Sequence, residues 1–125
     1  MSEDRPRTLA YLATPYSKYP DGIERAFVDA AKLAARLMQS GVKVYSPIAH
    51  THPLAIHGNI DPLDHDIWLP FDEAMLSVCG TLIVAHLLSW ETSKGIAHEV
   101  AFFEKAGKPI FDCNPLTLRM TRRRD

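Results

Sequence analysis

Glu99 is the residue on which a functional reading of this 125-residue chain begins. It lies in the run Ser93-Lys94-Gly95-Ile96-Ala97-His98-Glu99-Val100, followed by Ala101, Phe102 and Phe103. At about 100° per residue, Ile96, Val100, Phe103 and Gly107 share one side of a helix. Glu99 falls in that arc beside Phe102, Phe103 and Ala106, while Lys94, His98 and Lys105 fall opposite. Three and four residues away stand Gly95, Ile96, Phe102 and Phe103, so no cation on the helix itself can pair with the carboxylate. A carboxylate in an apolar stripe costs free energy unless something compensates. Catalytic carboxylates occupy such places because burial shifts their pKa and bares them to substrate. The plainer alternative is a Glu at the edge of the stripe whose head reaches water.

Ser93-Lys94-Gly95 opens the same helix. The first backbone N–H groups of a helix are unpaired and carry partial positive charge. Ser93 adds a hydroxyl and Gly95 permits close approach, which makes a seat for a phosphate or carboxylate. An ordinary N-cap is the alternative. Neither a Walker-type GxxxxGK-Ser/Thr run nor a GxGxxG is present, which argues against a nicotinamide or flavin dinucleotide enzyme, and no cofactor is expected. His50 and His52 stand two apart, with His57, Asp64, His65 and Asp66 nearby. On an extended loop such a pair faces one way and could chelate. Without HExxH or Cys/His spacing, however, no metal is expected, and a histidine lining a ligand pocket is favoured. Asp66, Asp72 and Glu73 surround the start of a helix, where acids are favoured whatever the function. A second carboxylate near Glu99 would nevertheless permit paired acid–base work on a glycosidic bond.

The elements that must position these groups alternate along the chain. Thr8–Ala13 reads as a first strand, ended by Thr14-Pro15-Tyr16-Ser17. Asp21 can cap a helix whose apolar spacing runs from Ile23 to Gln39 and which Gly41 closes. Val42–Tyr45 is a second strand. Ser46 to Asp64, rich in Pro, His, Gly and Asp, reads as a long ordered loop lining a pocket. A helix then starts between Asp64 and Pro70 and ends near Val78, with Leu69, Ala74, Met75 and Val78 turned inward. Leu82–Ala85 is a short apolar strand. The helix that carries Glu99 runs to about Lys105, closed by Gly107 and Pro109, and Pro109–Phe111 returns as a parallel strand through a right-handed crossover. The arginine-rich tail from Arg119 to Asp125 is expected to fray into solvent. This alternation predicts a doubly wound α/β domain with a parallel sheet, whose ligands bind beyond the carboxyl ends of the strands. The loops expected there, Thr14–Ser17, Ser46–His57 and Leu87–Gly95, are also the most chemically loaded.

The length fits one domain over residues 1–125, with a basic tail from about residue 117. A net charge of −1 argues against nucleic acid or a membrane surface as partner. The lead from Met1 to Arg7 lacks signal-peptide character, and no segment reaches transmembrane length. Cys79 and Cys113, outside any CxxC, read as reduced core thiols of a cytoplasmic protein.

Tyr11-Leu12-Ala13-Thr14-Pro15 resembles the Tyr-Leu-Ala-Gly-Pro opening of the nucleoside 2-deoxyribosyltransferase superfamily. The run Ser93 to Val100 resembles that superfamily's second signature, a Gly followed four residues later by a catalytic Glu. Its 2'-deoxynucleoside 5'-phosphate N-hydrolase branch also has a Ser two residues before that Gly, here Ser93. Ala106-Gly107-Lys108-Pro109 is similar to the superfamily's small-Gly-Lys-Pro ending. From about Leu9 to Phe111, with its Ser-Pro-Ile-Ala-His loop, the chain most resembles a small bacterial and phage family placed beside that superfamily, DUF1937-like. The resemblance implies a flavodoxin-like, Rossmann-like α/β three-layer sandwich with a four- to five-stranded parallel sheet. It implies chemistry at the N-glycosidic bond of a nucleoside or nucleoside 5'-monophosphate, by hydrolysis or transfer. Glu99 would be the nucleophile at the anomeric carbon and Tyr11 would orient it. Asp72 would contact base or sugar and assist base departure. Ser93 and Gly95 would hold a 5'-phosphate or 5'-hydroxyl, with Thr14, Pro15, Tyr16, His50 and Trp68 as further substrate contacts. A homo-oligomer, dimer or higher, is implied because pockets in that superfamily are commonly completed by a neighbouring subunit. The sequence departs from the pattern at Thr14, where the superfamily has Gly, at Gly80, where it has Asp, and at His98, where it has an aromatic. Two other functions stay open: a non-catalytic nucleotide-binding or sensing module on the same fold, and a hydrolase using His50 and His52 on a metal.

Overall fold

A computed structural model describes residues 5–124, so the first residues of the polar lead and the last of the basic tail lie outside the described part. Four strands form the expected parallel sheet: β1 (Ala10–Ala13), β2 (Val44–Tyr45), β3 (Thr81–Ala85) and β4 (Ile110–Cys113). Their order is β2-β1-β3-β4, and β5 (Met120–Arg122) closes the far edge antiparallel to β4. Every residue of β1 and β3 is buried, as central parallel strands covered on both faces require. The register sets Ala10 beside Thr81 and Ala13 beside Val84, so β1 and β3 end together at their carboxyl edge.

The helices make the outer layers of a flavodoxin-like three-layer fold. Helix α1 (Ile23–Gln39) covers one face, with Leu33, Ala34 and Leu37 packed on Ala10, Leu12, Ile83 and Ala85. Helices α3 (His65–Val78) and α4 (Lys94–Ala106) cover the other, with Leu76, Ile96 and Phe103 packed on Tyr11, Leu82 and Val84. Burying a side chain the size of Leu76 or Phe103 contributes about 1.5–3 kcal/mol, enough to fix the rotation of each helix about its axis. Ser93 caps α4, its Oγ accepting from the Ile96 N–H at 3.2 Å, and Gly107 ends it at φ 69°.

Three expectations are corrected. The stretch from Ser46 to Asp64 is not a loop throughout, because residues Pro47–Gly58 form helix α2. Ser46 accepts from the Ala49 N–H, Pro47 sits in the first turn where no N–H is needed, and Asn59 closes the helix in the left-handed region. In α3 the inward residue is Leu76, with Met75 half-buried, whereas Leu69, Ala74 and Val78 face outward. The tail does not fray at Met120–Arg122. There Asp112 accepts two hydrogen bonds from the Arg123 guanidinium, at 2.8 and 2.9 Å, and the Arg123 N–H donates to the Ile110 carbonyl. Cys79 and Cys113 are buried and unlinked, and among the described residues no helix is long and apolar enough to cross a membrane.

Candidate active site at the carboxyl edge of β1 and β3

The rotation of α4 that buries Ile96 and Phe103 turns Glu99 toward the sheet, where it meets Tyr11 of β1. Part of Glu99 stays accessible, yet its carboxyl is desolvated. Helix α3 brings Asp72 to the same place, one turn before the buried Leu76. Tyr11 Oη and Asp72 Oδ1 are buried without a hydrogen-bond partner, as is Thr14 Oγ1 just beyond the end of β1. An unsatisfied buried polar group costs about 1–3 kcal/mol, and such groups persist where a ligand or a reaction needs them. The Tyr11 hydroxyl faces Glu99 closely enough to favour its ionised form, short of the geometry of a formed hydrogen bond.

The electrostatics follow from this burial. Desolvation raises the Glu99 carboxyl to a pKa of about 8; the Asp72 charge adds to the rise and the Tyr11 hydroxyl opposes it. Desolvation raises Asp72 to about 6. Burial, then the charges of Glu99 and Asp72, push the Tyr11 phenol far above its ordinary range. With Asp72 at about 6 and Glu99 at about 8, the pair holds one proton near neutral pH, at rest on Glu99. One acid and one conjugate base within electrostatic reach of each other is the complement that glycosidic cleavage uses.

At the N-terminus of α4 is a cleft of about 200 Å3 between the loop after β1 and the loop entering that helix, lined by Tyr16, Ser17, Lys18, Thr92, Ser93 and Lys94; Tyr11, Asp72 and Glu99 are not part of its lining. It lies at the point where the strand order reverses between β1 and β3. Glu99 stands one helical turn beyond Gly95, and a Cβ built on Gly95 would meet only Ser93 Oγ, at 3.8 Å, so the approach is open. Two lysines, several hydroxyls and a helix N-terminus suit an anion. A larger groove of about 830 Å3, lined by Lys108, Arg123 and Arg124, lies at the opposite, amino edge of the sheet and includes none of Tyr11, Asp72 and Glu99.

The residues singled out from the sequence fall into two groups. Tyr11, Asp72 and Glu99 come together, and Pro15, Tyr16 and Ser93 line the cleft. His50 reaches the site indirectly: its Nδ1 is 3.3 Å from Tyr45 Oη, and the Tyr45 ring lies 5.7 Å from that of Tyr11. Trp68 spends its indole N–H on the Asp61 carbonyl at 2.9 Å, bracing the turn before α3. On α2, His50 and His52 point in different directions, which removes the chelating geometry expected of an extended loop. His50 is exposed and His52 buried, and among the described residues no three His, Cys, Asp or Glu side chains gather for a metal. His98 faces outward and pairs with Glu73 at 3.4 Å. Gly80 sits at the amino end of β3, where a Cβ would meet Thr8 Oγ1 at 2.5 Å, so the missing acid takes nothing from the carboxyl-edge cleft.

Tyr45 was not anticipated as a site residue. Its position as the last residue of a parallel strand was the available signal. Nor was the cluster in which His86 stacks on Trp90 at 3.9 Å and bonds Asp112 at 2.8 Å.

The fold is that of a flavodoxin-like α/β protein, with a cleft at its switch point and two desolvated carboxyls, Glu99 and Asp72, on the helices that cover one face of its sheet. The chain belongs to the family of the domain of unknown function DUF1937, whose family model matches residues 8–114. That span carries every residue of the site and ends before β5. Among curated proteins none matches it.

Proposed function

We propose that this protein cleaves, or transfers across, the N-glycosidic bond of a nucleoside or nucleoside 5'-monophosphate, as a relative of the nucleoside 2-deoxyribosyltransferases. The observation that carries the reading is the pair of desolvated carboxyls, Glu99 and Asp72, that interact with each other and with Tyr11, with Glu99 on the helix whose N-terminus lines a cationic cleft. Breaking the bond builds positive charge at the anomeric carbon, which favours the ionised form of the adjacent Glu99. Glu99 attacks that carbon, and the proton that the pair holds, at rest on Glu99, passes to Asp72 and leaves with the departing base. Water or a second base then displaces the sugar from Glu99. The charge of a carboxylate is worth more in such a sheltered site than in water. Lys18, Ser93 and Lys94 hold a 5'-phosphate. The same resemblance points to a homo-oligomer, for which the exposed row Ile67, Phe71, Ala74 and Val78 on α3 offers an apolar face; sedimentation at working concentration tests it.

The experiment is release of free base from a panel of nucleosides and 5'-monophosphates, with wild type beside Glu99→Ala. Release that falls at least about 10³-fold in the variant supports the reading and names the substrate class. Release that survives the substitution refutes Glu99 as nucleophile. A wild type that releases nothing, yet is thermally stabilised by a nucleotide, is a binding module instead.

A further inference from the structure

Tyr16 lines the cleft, and two residues that the chemistry above does not use hold its hydroxyl. Tyr16 Oη lies 2.6 Å from His52 Nδ1, and His52 Nε2 lies 2.9 Å from Glu24 Oε1. The three come from separate elements, the loop after β1, α2 and the first turn of α1. His52 is 3% exposed, and its ring stacks on Phe27 at 4.6 Å and 21°, which fixes the imidazole in one orientation. The Glu24 side chain is 74% exposed, so the carboxylate remains solvated.

The donors present decide where the protons are. An ionised carboxylate only accepts, so His52 Nε2 carries hydrogen and donates to Glu24. A neutral imidazole then has a bare Nδ1, and the Tyr16 hydroxyl donates to it. This leaves the lone pairs of Tyr16 Oη for a ligand in the cleft. Burial, then the charge of Glu24, push Tyr16 up to about 12, so the hydroxyl keeps its proton at rest and gives it up only as another arrives. Besides Glu24 itself, the charged groups that line the cleft with Tyr16 are Lys18 in the same loop and Lys94 at the start of α4.

We propose that Tyr16, His52 and Glu24 form a general-base triad in which Tyr16 takes the proton from the acceptor, water or an incoming base, while His52 and Glu24 act through it. The proposal rests on the glycosidic reading for the reaction that the triad serves. When water attacks the anomeric carbon, the C–O bond to Glu99 breaks and its electron pair returns to the carboxylate. The proton of the water passes to Tyr16 Oη as the Tyr16 proton moves to Nδ1, giving an imidazolium neutralised by Glu24. That proton returns through Tyr16 to the cleft and restores the one that Asp72 gave to the departing base.

The test follows base release over time and pH in wild type, Tyr16→Phe and Glu24→Ala, with the enzyme's intact mass and the His52 15N resonances recorded alongside. Tyr16→Phe is expected to release one equivalent of base in a burst and then to turn over about 10²-fold more slowly, with the sugar retained on the protein by mass. Glu24→Ala, at an exposed position, is expected to keep the fold and slow turnover about tenfold, with the sugar again retained on the protein by mass. A purely structural hydrogen-bond chain would change stability or KM without the burst or the retained sugar. Wild-type kcat without a burst in both folded variants overturns the triad while leaving the glycosidic reading intact. If wild type releases no base, that reading fails and the 15N spectrum decides: an Nε2–H tautomer accepting at Nδ1 upholds the triad as a proton acceptor, and an Nδ1–H tautomer overturns it.

Discussion

Glu99 and Asp72 owe their chemistry to what surrounds them. Either carboxyl in water would be ionised well below neutral pH, and burial near a neighbour of the same charge separates the pair to about 6 and about 8. Glycosidic cleavage needs one ionised and one protonated member, so base release is expected to be bell-shaped, with limbs near those two values. Asp72→Asn is expected to leave a single limb, that of Glu99, and to slow release about 10²-fold, because the departing base loses its proton donor. A profile for the Asn variant that retains both limbs would assign the acid to another group. Glu99 was legible because helical periodicity alone placed it in an apolar arc with no helical cation in reach. The triad was not legible. Tyr16 and His52 are 36 residues apart and His52 and Glu24 are 28 apart, and no local pattern joins them.

At the scale of elements, α4 serves structure and site with the same residues. Ser93 Oγ satisfies the Ile96 N–H, and its hydroxyl hydrogen remains available toward the cleft. Ser93→Ala is therefore expected to cost about 1 kcal/mol of stability, read from denaturant unfolding. It is also expected to raise KM for a 5'-monophosphate more than for the matching nucleoside. Equal KM changes for the two would separate the cap from the phosphate. This helix was readable end to end, since Ser93, the apolar spacing and Gly107 all pointed one way. Helix α2 was not. Its loop-like composition, with Pro53 inside and His50, His52 and His57 along it, masked the Ser46-Pro47 start and the Asn59 stop. What holds α2 is tertiary, the burial of His52 and Ala55. The tail misled for a related reason, because its order depends on Asp112, which answers Arg123 from the neighbouring strand.

Across the whole molecule these groups give opposite dependences of stability on pH. Burial raises the Asp112 carboxyl, but hydrogen bonds from Arg123 and His86 outweigh it and hold it below its ordinary value. Its contribution is present above the unfolded-state pKa and is lost as pH falls through the lower folded one. The side chains of this pair are 23% and 32% exposed, so Arg123→Ala is expected to cost about 1 kcal/mol near neutral pH. That difference should vanish in acid. Glu99 works the other way. Its folded value of about 8 lies above the unfolded one, so its contribution is complete below the ordinary Glu range and is lost as pH rises through about 8. Wild-type thermal stability should therefore fall between the ordinary Glu pKa and about 8, and Glu99→Gln should flatten that decline. At alkaline pH the variant is expected to be more stable than wild type by up to a few kcal/mol, because it removes a desolvated charge. Thermal melts across the pH range read both effects. If Glu99→Gln simply parallels wild type, the Glu99 carboxyl is solvated in the folded protein, and the site loses the property that the glycosidic reading requires.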